Sequence, residues 1–293
     1  MGTLRFIWAE ITSRCQLTCT HCYAESGPFG TQGTMSRDDW RRLIDDAAEI
    51  GTQMIQFIGS EPTLHPALPD LVDHALDSGL EIEVFTNLVR VTSRMWETFS
   101  RPQVRLATSY YADDAGQHEA ITGRRGSHAR TKANIAEAVR RSIPLRVGLI
   151  HVAEGQRVRQ AWQELVDLGV TDIGMDRIRQ VGRGVRDRVA DVSQLCGACA
   201  QGRVAVASNG EVWPCVFARW MPIGNVRVTP LADIVTDSAL TMAQEKIGNP
   251  SKPQKCDPQS RCDPSKSGCN PDCPPGYHAS PKKCWPYYYD HRK

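Results

Sequence analysis

The sequence of 293 residues predicts an α/β fold, a parallel sheet flanked by helices and followed by a smaller irregular module. Three observations carry this prediction. Six short apolar runs suited to strands buried on both faces recur along the first two thirds of the chain, interleaved with stretches of helical periodicity. Glycines at 51 and 79 close two of those helical stretches. After residue 190 the alternation stops, and cysteine, proline and glycine take its place. Periodicity alone leaves an open sheet and a barrel equally available.

The first strand is expected over 4–11, where Leu4, Phe6 and Trp8 alternate with Arg5, Ile7 and Ala9, and 27–34 reads as loop. Ser36 is a good N-cap with Asp39 three residues on; Trp40, Leu43, Ile44, Ala47 and Ala48 then share one helical face up to Gly51. A second strand falls at 54–58, and Leu68, Leu71, Val72, Ala75 and Leu76 form the next helical stripe. Strands follow at 81–86 and 104–109, a helix at 129–141 ahead of Pro144, a strand at 145–150, a helix at 156–168 and a sixth strand at 172–175. Beyond residue 190, Asn209-Gly210 between β-rich runs at 203–207 and 211–216 signals a hairpin with positive φ at both turn residues. A single helix is expected over 231–247.

Lys and Arg total 35 against 33 Asp and Glu, a net charge of +2, which gives no nucleic-acid footprint. No apolar run approaches the roughly 20 residues of a membrane span, and Met1-Gly2-Thr3 leads almost directly into a strand. The expectation is a cytoplasmic protein with no nucleic acid and no membrane among its partners. Eleven cysteines in such a chain ask for an explanation other than disulfides.

Three of those cysteines, Cys15, Cys19 and Cys22, lie in Ser13-Arg14-Cys15-Gln16-Leu17-Thr18-Cys19-Thr20-His21-Cys22-Tyr23, directly after the first strand. Three thiolates on one tight loop can bind three irons of a [4Fe-4S] cubane and leave the fourth open to a group that is not protein. A zinc site would want a fourth ligand nearby, and His21 is the candidate. This Cx3Cx2C spacing resembles the radical S-adenosylmethionine (SAM) superfamily. The resemblance implies a partial (β/α)6 TIM-like barrel, SAM on the open iron, and reductive cleavage to a 5′-deoxyadenosyl radical with electrons from a flavodoxin or ferredoxin. Gly59-Ser60-Glu61-Pro62 after the second strand is similar to the family's GGEP segment, with Ser60 in place of the second glycine. By the same resemblance Tyr23, Asn87, Ser109 and Arg124 are candidate SAM contacts. Gly182-Arg183-Gly184 resembles a segment of relatives with extra clusters and receives no role.

The remaining cysteines all follow residue 195. Their arrangement resembles the SPASM extension of radical SAM enzymes, which carries two auxiliary [4Fe-4S] clusters. The resemblance assigns Cys196, Cys199, Cys215 and Cys273 to the first and Cys256, Cys262, Cys269 and Cys284 to the second, for three clusters in all. The spacing around Cys256 and Cys262 departs from the family's, and zinc remains an alternative there. Two domains are expected, 1–190 as the radical core and 191–293 as the SPASM-like module. The aromatic tail Cys284-Trp285-Pro286-Tyr287-Tyr288-Tyr289 would shield a cluster or line a channel.

A radical enzyme that returns a hydrogen atom to its substrate generally needs a free cysteine, and here every cysteine is assigned to a cluster. That favours oxidative modification of a ribosomally made precursor peptide, with a carbon–sulfur or carbon–carbon crosslink, over epimerisation. Asp176 after the sixth strand and Asp113 after the fourth are candidate general bases. With no winged module ahead of the first strand, a peptide would be gripped by a separate leader-binding protein or by the cysteine-rich module. The alternatives are a dehydrogenase or decarboxylase of a sugar, cyclitol or nucleoside and, from another class, a non-catalytic electron carrier or zinc scaffold.

Overall fold

A computed structural model describes residues 4–186 and 189–248. Its sheet has nine strands in the order β6-β5-β4-β3-β2-β1-β7-β8-β9. The first six, β1 (Phe6–Glu10), β2 (Met54–Ile58), β3 (Glu81–Phe85), β4 (Val104–Tyr110), β5 (Leu145–His151) and β6 (Asp172–Arg177), are all parallel, as expected of a partial (β/α)6 barrel. The other edge of β1 is taken by β7 (Arg203–Val206), also parallel, and β7 turns back into antiparallel β8 (Glu211–Trp213) and β9 (Gly224–Asn225). The C-terminal hairpin therefore extends the same sheet.

The helices form for local reasons. In α1 (Arg37–Glu49) the Ser36 hydroxyl accepts from Asp39 N at 3.1 Å while the Asp39 carboxylate accepts from Ser36 N at 2.8 Å, a reciprocal cap that satisfies two otherwise orphaned donors. Trp40, Leu43, Ile44 and Ala47 of α1 are buried beside Leu68, Leu71, Val72 and Ala75 of α2 (Leu68–Asp77). At about 1.5–3 kcal/mol for each large apolar side chain, this stripe holds the helices on the sheet.

Two helices were not legible in the sequence. α3 (Ser93–Phe99) is one short stretch capped by Thr92, and α4 (Ala115–Thr122) is capped by Asp114 but carries no continuous apolar stripe. They precede α5 (Ser127–Arg140) and α6 (Val158–Asp167). The single helix expected over 231–247 is two, α7 (Leu231–Thr236) and α8 (Ser238–Ile247), because Asp237 is extended and its carboxylate accepts from Ala239 N at 2.8 Å. The hairpin turn also differs. Of the two turn residues Gly210 alone has positive φ, +87°, and its N–H donates to Ala207 O at 2.9 Å, the arrangement of a type I turn closed by a glycine bulge.

Candidate functional site

The chain leaves β1 at Glu10 and enters the cysteine loop, which neighbouring backbone holds on several sides. Cys15 N donates to Gly27 O (3.0 Å), Thr18 N to Thr122 O (3.1 Å) and Thr20 N to Ile121 O (2.9 Å). The segment that received no role from the sequence closes the loop from another direction: Arg183 donates through N to Cys22 O at 3.0 Å and through Nε to Cys19 O at 2.9 Å. Burial pushes the Cys15 thiol far up and that of Cys19 up to about 12, so both are protonated unless a cation draws off the proton.

Gly59-Ser60-Glu61-Pro62 crosses the end of β1. Gly59 has φ +88°, and a Cβ there would lie 2.6 Å from Glu10 Cα, so only glycine fits. Ser60 also takes a left-handed φ, +51°, which explains how the family's glycine position is filled: its hydroxyl is fixed 2.6 Å from that of Ser26. Glu61 is fully buried, with both carboxylate oxygens occupied by protein donors. Oε1 accepts from Thr63 N (3.2 Å), Thr63 Oγ1 (2.6 Å) and Thr86 Oγ1 (2.6 Å), and Oε2 accepts from Asn87 N (2.8 Å). This carboxylate, a candidate SAM contact by the resemblance, ties the end of β2 to the end of β3 in the structure. Burial raises its pKa, opposed by the hydrogen bonds from Thr63 and Thr86.

A cavity of about 240 Å³ opens inside the curve of the sheet, and its walls include Cys15, Cys19, Cys22, Tyr23, Ser60, Asn87, Ser109 and Asp176. Asn87 is fixed there by Gln16, whose Nε2 donates to Asn87 Oδ1 at 3.1 Å. Asp176 is 7% exposed; burial raises its carboxyl from 3.8 to about 6, against the pull of Arg179 Nη2 at 3.2 Å. Two candidates lie elsewhere. Asp113 pairs with Arg157 (2.8 and 2.7 Å), which holds its carboxyl below the usual range, and it does not border the cavity. Arg124 is exposed and donates through Nη1 to Gln16 O at 2.9 Å, on the outer side of the cysteine loop.

Cys196, Cys199 and Cys215 border the same cavity. Cys199 Sγ donates to Cys215 Sγ at 3.1 Å. Interaction with the Cys199 thiol holds Cys196 down at about 6, and the interactions with Cys196 and Cys215, together with burial, push Cys199 itself up. Cys256, Cys262, Cys269, Cys273, Cys284 and the aromatic tail lie outside the described residues. Among the described residues no three His, Cys, Asp or Glu side chains converge on a point that would hold a single metal ion. Each cysteine trio supplies soft thiolates of the kind a cubane cluster takes, one per iron. In the first trio the open position would face the cavity.

Several contacts around the cavity were not singled out in the sequence. Glu10, 4% exposed, receives Arg219 Nη1 at 2.5 Å, and Arg219 stacks 4.3 Å from the Trp213 ring. Tyr23 packs edge-on to Phe217 at 5.2 Å, so the residue after Cys22 touches the one two beyond Cys215. Inside the sheet Gln56 faces Glu83 in register and hydrogen-bonds to it, and Arg146 grips Glu83 at 2.7 and 2.8 Å. Burial would raise Glu83, but Arg146 and Arg105 hold it down at about 2. The available signal was an acidic or amide residue inside an otherwise apolar strand run, as at Glu10, Gln56 and Glu83.

The model of the radical SAM superfamily matches residues 9–168, and that of the SPASM iron-sulfur cluster-binding domain matches 196–263. The chain is 28% identical to a PqqA peptide cyclase of Bradyrhizobium diazoefficiens, over 62% of this chain and 48% of that protein, so it spans about half the length of that relative. A PqqA peptide cyclase of Streptomyces rochei is 26% identical over 89% of this chain and 82% of its own. In fold the chain is similar to Streptococcus suis SuiB, in a crystal structure bound to precursor peptide SuiA: TM-score 0.68, 12% identity, covering 82% of this chain and 66% of that one. The superfamily and SPASM matches imply [4Fe-4S] clusters and SAM. Among the described residues no helix is long and apolar enough to cross a membrane.

Proposed function

Because this chain belongs to the radical SAM superfamily, whose model matches more than half of it, we propose that it cleaves SAM reductively and oxidatively modifies a ribosomally made precursor peptide, forming a carbon–sulfur or carbon–carbon crosslink. The observation that carries this reading is one cavity bordered by both Cys15, Cys19, Cys22 and Cys196, Cys199, Cys215. The first trio would hold the SAM-binding cluster, which when loaded supplies a 5′-deoxyadenosyl radical able to abstract hydrogen from an unactivated carbon. The second trio with Cys273 would hold one auxiliary cluster, and Cys256, Cys262, Cys269 and Cys284 another, three in all.

The chain's own residues then have distinct tasks. Ser60, Asn87, Ser109 and Tyr23 line the SAM side. Trp8, Phe85, Tyr111 and Phe217 give the cavity apolar walls that exclude water and fix one C–H bond in place. Asp176, with its carboxyl near 6, would take the second hydrogen as a proton, and the electron left behind would pass to the auxiliary cluster that Cys196, Cys199 and Cys215 would help to hold. The names of the relatives support a peptide as substrate: PqqA peptide cyclase for one, and SuiB bound to a precursor peptide for the other. The functional division falls near residue 190, the radical core before it and the auxiliary module after it, although the sheet runs through both. A flavodoxin or ferredoxin supplies the electrons.

The test is co-expression with each short open reading frame flanking the gene, under iron-sulfur-replete conditions, followed by mass spectrometry of the peptides. A product lighter by two hydrogen masses per event, absent when Cys15, Cys19 and Cys22 are replaced by Ala, is expected. Equal masses for every peptide refute the crosslinking reading and turn attention to deuterium incorporation or to a small-molecule substrate.

A further inference from the structure

The chain that leaves β6 touches three parts of the site. Arg179 turns back on Asp176, with Nη2 at 3.2 Å from Oδ1 and 3.4 Å from Oδ2, in a pair whose side chains are 9% and 2% exposed. Arg177 N donates to the same Oδ1 at 2.8 Å, which fixes the orientation of the carboxylate. The other arm of the guanidinium points elsewhere: Arg179 Nη1 donates to Gln194 O at 3.5 Å. Gln180 N adds a second bond to that residue, to Gln194 Oε1 at 3.0 Å. Gln194, Leu195 and Cys196 follow one another along the cavity wall, so Arg179 lies between the carboxylate and the arm that carries Cys196.

Gly182-Arg183-Gly184 lets this segment lie flat on the first cysteine loop. A Cβ on Gly182 would sit 2.4 Å from Tyr23 O, and one on Gly184 would sit 2.5 Å from Arg179 O. Arg183 between them holds Cys19 O and Cys22 O, while Arg179 and Gln180 hold the Cys196 arm. Among the described residues, the cations acting on Asp176 are Arg179 and Arg177. From the neighbouring strand, β5 sets Ile150 opposite Asp176 and His151 opposite Arg177. Arg179 and Arg203 are the cations whose charge reaches the Cys196 sulfur.

We propose that Arg179 is a positioning residue that couples proton and electron departure, holding Asp176 and the Cys196 arm on one guanidinium; this rests on the proposed oxidative function and on the cluster reading of Cys196, Cys199 and Cys215. When the substrate radical closes the crosslink, a carbon–sulfur or carbon–carbon bond forms and an S–H or C–H bond breaks. The hydrogen leaves as a proton to the Asp176 carboxylate, and one electron passes to the auxiliary cluster site, which is reduced by one. Two acceptors that share one cation feel each other's charge. Reduction at the Cys196 site strengthens the hold of Asp176 on its proton, and a proton on Asp176 makes that site easier to reduce.

The experiment uses the reconstituted full chain, wild type, Arg179→Met, Arg179→Lys and Asp176→Asn, in redox titrations followed by EPR at several pH values. The signal of the second trio is the one that Cys199→Ala removes. In the wild type its midpoint potential should depend on pH around 6, and Asp176→Asn should abolish that dependence. Arg179→Met should make this site harder to reduce and move the pH-dependent span up by about one unit, a tenfold gain in proton affinity at Asp176, with the Cys15 site unmoved. Arg179→Lys keeps the charge and should restore both. An unchanged potential and pH dependence in Arg179→Met overturns the coupling. So does a change of both cluster signals together that Arg179→Lys fails to restore, the mark of a merely structural residue. No signal from the second trio in the wild type strikes the cluster reading and the proposal with it. Coupling in a chain that crosslinks no peptide supports the role of Arg179 and refutes only the peptide.

Discussion

Removing the Glu61 carboxylate should loosen the joint between β2 and β3. In Glu61→Ala four donors lose their acceptor: the backbone N–H groups of Thr63 and Asn87 and the hydroxyls of Thr63 and Thr86. The hydroxyls can turn to other acceptors, but the two N–H groups are fixed in a fully buried site, at about 1–3 kcal/mol each. Relief of a buried charge offsets part of this and a new void adds to it, leaving a net loss of about 3 kcal/mol. For a chain of this size that lowers the melting temperature by roughly 6–12 °C. Glu61→Gln keeps the three bonds to Oε1 and loses the one from Asn87, about 1 kcal/mol. Because burial raises the Glu61 pKa, its folding contribution is complete below the ordinary carboxyl range and declines as pH rises through the raised value; the Gln variant lacks that decline. Calorimetry of the cluster-free chain at several pH values reads both effects. An Ala variant within about 0.5 kcal/mol of wild type would refute the reasoning.

Asp176, raised to about 6 by burial, contributes stability that is complete below pH 3.8 and lost as pH rises through about 6; in urea titrations from pH 4 to 7 Asp176→Asn should flatten that fall, and in turnover it should remove the limb that rises above pH 6. Arg219→Met strands the buried Glu10 carboxylate and should cost about 2–3 kcal/mol in chemical denaturation, much of it recovered in Glu10→Gln/Arg219→Met. Gly59→Ala forces a Cβ to within 2.6 Å of Glu10 Cα, and the soluble yield should drop sharply, whereas Gly79→Ala, with open space around it, should cost about 1 kcal/mol. Cys196→Ala, Cys199→Ala or Cys215→Ala should lower bound iron by one cluster's worth while dithionite still drives SAM cleavage; loss of SAM cleavage with the iron retained would contradict the separation of the two cysteine sets.

The parallel sheet was legible because strands buried on both faces read as apolar runs, and β2 falls where Met54, Ile55, Phe57 and Ile58 predict it. Helix α1 was legible through its cap, a local interaction between Ser36 and Asp39. What failed was non-local. The break at Asp237 depends on one side chain preferring its own backbone over helix continuation, and α4 covers its strand with His118, Ile121 and Thr122, a mixture that no apolar stripe announces. In the site, Cys15 and Ser60 could be found from spacing, whereas Arg183 reaches Cys19 across 164 residues, and Arg219 reaches Glu10 across 209. Asp113 and Asp176 looked alike in sequence, each near the end of a strand; the arginine each meets and the depth of its burial separate them.

Strand direction explains why two cysteine sets so far apart in sequence border one cavity. β1 runs toward Glu10 and releases the Cys15 loop at that end. β7 lies parallel to β1, with Phe6 opposite Arg203 and Ala9 opposite Val206, so Cys199, four residues before Arg203, lies toward the opposite end of the strands. β8 runs back antiparallel from Glu211 to Trp213 and carries Cys215 to that same end, within 3.1 Å of Cys199. The strand interior between them is then a passage whose ends carry soft sulfur ligands and whose middle is Trp8, Gln56 and Arg146. The short segment after Cys215 returns along it, placing Phe217 on Tyr23 and Arg219 on Glu10. These two contacts tie the segment after Cys215 to the end of β1 that releases the Cys15 loop. Under the proposed function the cavity would hold one C–H bond still between two cluster sites and would need its ends fixed relative to each other; the pairing of β7 with β1 supplies such fixing through backbone hydrogen bonds, independent of what fills the site.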